Sequence, residues 1–173
     1  MIGWTVRRAS VADASALSLV AGATLLETFH AVVKAADMVA HVANKSSADV
    51  FAGWIGDPAS AVFYSGADGT EAPLGYAVLT TPEFPIATDA SDIELRRIYT
   101  LAATHGSGLG GALMQAVLDE ARARERKRVL LGVHPENSRA RSFYERTGFR
   151  VIGERAFIVG TMRFVDPIYA LDL

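Results

Sequence analysis

The chain has no cysteine among its 173 residues, which excludes a disulfide framework, a thiolate metal site and a catalytic thiol. Neither charge is in surplus, because 17 basic and 19 acidic side chains leave a formal charge of −2. With 50% apolar and 21% charged residues, the composition is neither that of a disordered acidic tail nor that of a basic nucleic-acid wrapper. No nucleic-acid partner is expected. The longest uncharged stretch, Ile98 to Leu118, has the ~20 residues that a bilayer needs. It is broken by Gly106, Gly108, Gly110 and Gly111 beside Thr100, Thr104, His105 and Ser107, a backbone that lipid could not satisfy. The amino terminus MIGWTVRRAS has two arginines but no apolar h-region directly behind them, so no membrane partner and a cytoplasmic location are expected. The four histidines, His30, His41, His105 and His134, form no HExxH and no defensible Ser-His-Asp arrangement, so no metal and no covalent nucleophile are expected.

What is there fits one domain over residues 1–173, since cores usually grow to ~100 to 200 residues before chains split. Trp4 to Ala9 alternates as a strand, and Ser10 with Asp13 has capping-box spacing ahead of a helix over about Val11 to Phe29. Residues 30–58 read as one or two further helical pieces. Ala61 to Ser65 and Leu74 to Thr81 read as a hairpin, and a third strand runs from about Ile93 to Leu101. Its alternation predicts Glu94, Arg96, Ile98 and Thr100 on one face and Leu95, Arg97, Tyr99 and Leu101 on the other. A helix over Leu109 to Arg126, a strand over Arg128 to His134, a helix from Asn137 to Thr147 closed by Gly148, and two strands near Phe149 to Val159 and Met162 to Leu171 complete the chain. The order β-α-α-β-β-β-α-β-α-β-β predicts an α/β domain with a mixed sheet, parallel where two strands flank the glycine loop.

That loop, His105-Gly106-Ser107-Gly108-Leu109-Gly110-Gly111, follows a strand and opens a helix. This arrangement aims free N–H groups and a positive dipole end at an anion, with a diphosphate as the natural guest. A Walker loop is excluded because Ala112 and Leu113 follow Gly111 where Lys and Ser/Thr are required. Gly106, Gly108 and Gly111 match G-x-G-x-x-G by spacing, but the strand before them is Ile93-Glu94-Leu95-Arg96-Arg97, not the apolar strand of a dinucleotide site. Charge is unevenly divided. Residues 1–95 hold four bases against eleven acids, a balance of −7, and residues 96–173 hold +5, as expected if one half bound an anionic cofactor and the other a cationic substrate.

The loop followed by Leu-Gly-Val-His-Pro-Glu-Asn-Ser-Arg-Ala-Arg-Ser-Phe-Tyr-Glu-Arg-Thr-Gly-Phe resembles the GNAT superfamily of acetyl-CoA-dependent N-acetyltransferases. The signature Asn-x-x-Ala-x-x-Phe-Tyr-x-x-x-Gly-Phe is complete from Asn137 to Phe149. Ile93 to Thr100 and Phe157-Ile158-Val159-Gly160 resemble the branch with bacterial PaiA-type polyamine acetyltransferases. His105 departs from the usual Arg or Gln, and Gly132 stands where some relatives carry a glutamate base. The resemblance implies a single domain with splayed central parallel strands, acetyl-CoA as co-substrate and a small-molecule amine acceptor, with a homodimer left open. It implies direct attack by the amine with no acyl-enzyme, Glu94 as base through water and Tyr144 as the acid that protonates the leaving thiolate. The main chain of Ile98, Tyr99 and Thr100 would pair with the pantetheine, and His105, Gly106, Ser107, Gly108, Leu109, Gly110 and Gly111 would hold the diphosphate. Asn137 either contacts the pantetheine arm or caps its helix. A protein or peptide N-terminal acetyltransferase and a non-catalytic acyl-CoA sensor are the alternative readings.

Overall fold

Arg7 at the end of the first strand donates to both carboxylate oxygens of Asp13 at 2.8 Å, and Asp13 in turn accepts from the Ser10 N–H at 2.7 Å. The capping box expected at this junction is present, and it turns the chain from strand into helix through a short 3₁₀ turn, Val11–Asp13. The computed structural model describes residues 3–159 and 162–173; Gly160 of the resemblance lies outside them. The elements are β1 (Trp4–Arg8), α1 (Ala14–Phe29), α2 (Ala35–Lys45), α3 (Ala48–Gly56), β2 (Ala61–Ala67), β3 (Pro73–Thr80), β4 (Asp92–Thr100), α4 (Leu109–Ala123), β5 (Arg128–Gly132), α5 (Ser138–Thr147), β6 (Arg150–Val159) and β7 (Met162–Asp172). Residues 30–58 thus supply two helices. The second is capped by Ser47, whose hydroxyl accepts from the Val50 N–H.

Seven strands form one sheet in the order β1-β2-β3-β4-β5-β7-β6. Every pair is antiparallel except β4 with β5. One face is covered by α4 and α5, whose Leu109, Leu113, Val117 and Tyr144 pack on Ala77, Leu79, Ile93 and Leu95. The other is covered by α1 and α3, whose Leu17, Val20, Ala21 and Phe51 pack on Val62, Tyr64, Tyr76 and Val78. The segment Val11–Phe29 has the length and apolar composition of a membrane span, and its Leu17, Val20 and Ala21 are spent on this core.

Two irregularities shape the middle of the sheet. In β4, Arg97 pairs with Val78 and Leu95 with Leu79, so Arg96 is an extra residue with no partner of its own on β3. Such a bulge resets the alternation. The predicted face assignment is therefore corrected: Ile98 lies with Ile93 and Leu95 against the α4 side, while Tyr99 lies with Tyr76 on the α1 side. Glu94, opposite Thr80, takes the Tyr99 side, so Glu94 and Ile98 do not share a face. The second irregularity is that β4 and β5 pair only over Asp92–Glu94 and Arg128–Leu130. Beyond Glu94 they part. β5 ends at Gly132, two residues short of the expected His134.

At the closed end, Arg128 donates to Asp92 from Nε and Nη2, both at 2.7 Å, and the two are register partners. Asp92 is buried, and the guanidinium hydrogen bonds hold its carboxyl below the usual range. Asp92→Ala should cost about 2 kcal/mol, less than for a wholly buried pair, because Arg128 keeps 30% of its side chain in solvent. A carboxyl with a depressed folded pKa contributes stability above its unfolded pKa and loses it as pH falls through the folded value. Urea unfolding at neutral and acid pH should therefore find the Asp92→Asn deficit at neutral pH shrinking toward low pH.

Candidate functional site

After β4 the chain makes a 3₁₀ turn, Ala102–Thr104, and then places Gly106 at φ +82 and Gly108 at φ +89. These are backbone angles that glycine adopts without strain. Gly108 is the N-cap of α4 and offers no side chain to it. The opening N–H groups of a helix have no intrahelical partner; here the Leu109 N–H makes a long contact of 3.4 Å to Ser107 Oγ. Gly110 and Gly111 sit in the first helical turn, where glycine costs about 1 kcal/mol relative to alanine. A Cβ at either would meet nothing within 4 Å. Packing within the chain does not require these glycines, and the space beside them fits a ligand drawn close to the backbone. Free N–H groups at a helix start with no side chain in the way are what an anion such as a diphosphate would need.

His105 and Arg139, the latter on α5, touch at the rim of this loop. Burial and the Arg139 charge push the His105 imidazole below its ordinary pKa, so Arg139 carries the positive charge. Sequence reasoning noticed the unusual histidine and missed the arginine that stands beside it, because 34 residues separate the two.

β4 and β5 part after Glu94, and β4 runs on alone toward the glycine loop. Ile98, Tyr99 and Thr100 pair with β3 on one side, and their other side faces the gap that β5 leaves. Tyr144 reaches this region from α5, buried against Phe143, Phe149 and Tyr169 with ring centroids 5.6, 5.9 and 6.2 Å away. Burial above all, with Tyr99 adding to it, raises the phenol well above its ordinary range, so it stays protonated. The Tyr169 hydroxyl is committed, donating to Glu145 at 2.9 Å and accepting from Arg141 at 3.1 Å; Tyr144 makes neither bond. Asn137 caps α5 through Oδ1, which accepts from the Ala140 N–H at 3.1 Å. Its amide nitrogen stays available.

Glu94 is 2% exposed. Its Oε2 accepts from the Glu83 N–H at 2.9 Å and from Arg96 at 3.2 Å, and Oε1 lies 3.5 Å from Arg155. Two guanidinium groups and an amide thus surround the Glu94 carboxylate. A side chain at Gly132 would run into the guanidinium of Arg155, so that strand position is taken by the arginine that grips Glu94.

A family model described as the acetyltransferase (GNAT) family matches residues 28–149. The chain is 39% identical over 131 residues to an uncharacterized N-acetyltransferase of Mycobacterium tuberculosis, covering 76% of this chain and 78% of that protein. Among solved structures, the PaiA N-acetyltransferase of Thermoplasma acidophilum in complex with coenzyme A superposes with a TM-score of 0.81 at 20% identity, covering 99% of this chain and all of that one. The ribosomal-protein-S18-alanine N-acetyltransferase of Escherichia coli superposes with a TM-score of 0.67 at 20% identity, over 98% of this chain and 94% of that one. At such identities the two likenesses concern the fold.

Gly110→Val tests the cradle without the backbone strain that a residue at Gly108 would add. The open space leaves the fold intact, while the branched side chain fills the ligand's place. Calorimetry should find CoA affinity at least about tenfold weaker, a loss of about 1.4 kcal/mol, with an unchanged melting temperature. Unchanged affinity would remove the loop from the binding site.

Proposed function

The chain belongs to the acetyltransferase (GNAT) family, and from that premise we propose that it carries the acetyl group of acetyl-CoA directly to the primary amine of a small, cationic acceptor. The observation that carries this reading is that β4 parts from β5 after Glu94, which leaves Ile98 to Thr100 without a partner on that side just before the glycine loop. The cradle N–H groups and Arg139 bind the diphosphate by charge-assisted hydrogen bonds. Backbone of β4 aligns the pantetheine as an added strand, assisted by the Asn137 amide.

Transfer requires a neutral amine, a polarised carbonyl and a proton for the departing sulfur. Tyr144 is the donor in this scheme, since a phenol kept neutral by burial can give its proton to the thiolate as the C–S bond breaks. Glu94 is assigned to holding Arg96 and Arg155 in place. The acceptor's positive charge is inferred from the −7 balance of residues 1–95. A field of that sign raises the encounter rate of a cation and is screened by salt over ~8 to 10 Å. The resemblance to the PaiA-type branch supports the same acceptor class.

Tyr144→Phe keeps the ring packing and removes only the donor. The expected outcome is unchanged CoA affinity with kcat lower by about 10²- to 10⁴-fold; a rate within threefold of the parent, about 0.7 kcal/mol, returns Tyr144 to a packing role. The acceptor class is tested by kcat/KM for spermidine against tyramine and glutamate from low to high salt. Spermidine should lead at low salt and lose its lead as salt rises, whereas a preference for glutamate contradicts the charge argument.

A further inference from the structure

One place on the α1 side of the sheet concentrates polar atoms that lack partners. Among the described residues, five buried side-chain nitrogens or oxygens have no hydrogen-bond partner, and three of them are Asp166 Oδ1, Arg155 Nε and His134 Nε2. The topology brings them together. Asp166 pairs in register with Arg155 on β6, and its Oδ2 lies 4.0 Å from Arg155 Nε. On the other side of β7, Gly132 is opposite Ile168 and the Val133 N–H reaches the Pro167 carbonyl. The next step along the strands brings His134 beside Asp166, and the imidazole is close enough to act on that carboxyl. The spot lies beyond the point where β4 leaves β5, and Tyr99 of β4 senses the Asp166 charge across the gap.

Asp166 is 3% exposed, and an orphaned buried carboxylate oxygen is costly enough to require a reason. Arg155 is not its full partner, because that guanidinium also meets Glu94 and lies over the rings of Phe84 and Phe157 at 4.9 and 5.7 Å. The surrounding wall is aromatic: the His134 ring is 4.6 Å from Phe164 and 5.9 Å from Phe29, with Val33 in the same cluster. A carboxylate with a free oxygen inside an aromatic wall suits a primary ammonium on an apolar or flexible arm.

We propose that Asp166 is the residue that receives the acceptor's ammonium group and removes its proton, with His134 beside it. The proposal rests on the acetyl-transfer reading above and names the base for that reaction. The groups that face Asp166 are Arg155 from β6, His134 beyond β5 and Tyr99 from β4. Burial, the largest influence, raises the Asp166 carboxyl above its ordinary range, against the opposing pull of Arg155 and His134. A raised carboxyl is a stronger base toward an ammonium. In the step, R–NH3⁺ gives one proton to Asp166 and the freed lone pair forms the C–N bond to the thioester carbonyl. The C–S electron pair leaves on sulfur, which takes the Tyr144 proton, and the second nitrogen proton restores the tyrosine. Asp166 then releases its proton to solvent, so one amide, one thiol and one proton emerge per turnover.

The test compares the parent with Asp166→Asn and Asp166→Glu, reading thiol release from acetyl-CoA against pH with spermidine, tyramine and glutamate. Asp166→Asn is isosteric and gives up only a long 4.0 Å contact to Arg155, so its melting temperature should stay near the parent's and its CoA affinity should be unchanged. Its kcat with the preferred amine should fall about 10²- to 10⁴-fold and lose the acid limb of the pH profile, with part of the rate regained in Asp166→Glu. A rate within threefold of the parent and an unchanged acid limb overturn the assignment, whichever amine is preferred. Preference of the parent for glutamate contradicts the acceptor charge and leaves the Asp166→Asn comparison to decide the base. If none of the three amines is turned over, carbon NMR of the Asp166 carboxyl in the CoA complex decides. A response to added spermidine supports the assignment and no response overturns it.

Discussion

The site depends on how little β4 and β5 hold each other. They are the only parallel pair among the described strands, and they meet over three residues on each strand. At the closed end, the Arg128–Asp92 pair fixes the register. Past Glu94 the backbone of β4 has a partner on the β3 side alone. An unpaired strand edge inside a sheet is a row of donors and acceptors waiting for a guest, and a pantetheine amide chain has the groups to occupy it. The extra residue at Arg96 is part of the same device. It bends β4 at the point of departure and turns Tyr99 to one side and Ile98 to the other.

Electrostatics follow this division. On the α4 and α5 side stand the first N–H groups of α4 and Arg139, all suited to an anion. Toward α1 and α2 the gap ends among Glu94, Arg96, Arg155, His134 and Asp166. Within that group the pairing is unequal. Glu94 is saturated by two guanidinium groups and an amide, whereas Asp166 keeps an oxygen without a partner. The two buried carboxylates of this cluster thus differ in the partners that reach them.

Much of this was legible before the fold. Strand–glycine loop–helix, the Asn137 cap and the Gly148 terminus are local, and each depends on a few neighbouring residues whose backbone preferences are strong. The sheet order is consistent with the element order, since a hairpin and a βαβ unit restrict the pairings. The face of Glu94 was not legible, because a bulge is created by the register of β3 against β4 and leaves no mark in Glu-Leu-Arg-Arg-Ile. Nor was Asp166, which lies between Val165 and Pro167 on a strand read simply as the end of the chain. The alternation Phe164, Asp166, Ile168 holds the signal, an acid flanked by apolar face-mates. Its meaning came only when β6 and β5 brought Arg155 and His134 to either side. Arg139 was hidden for a similar reason, its partner His105 being distant in sequence.

Hydrogen exchange of the backbone amides, with and without CoA, tests the central claim most directly. If the cofactor lies along the open edge of β4 with its diphosphate in the glycine cradle, CoA should slow exchange at Ile98 to Thr100 and at Gly106 to Gly111. Exchange in β1 and β2 should stay as it was. Protection confined to another region, or none at residues 98–100 and 106–111 under saturating CoA, would contradict the account.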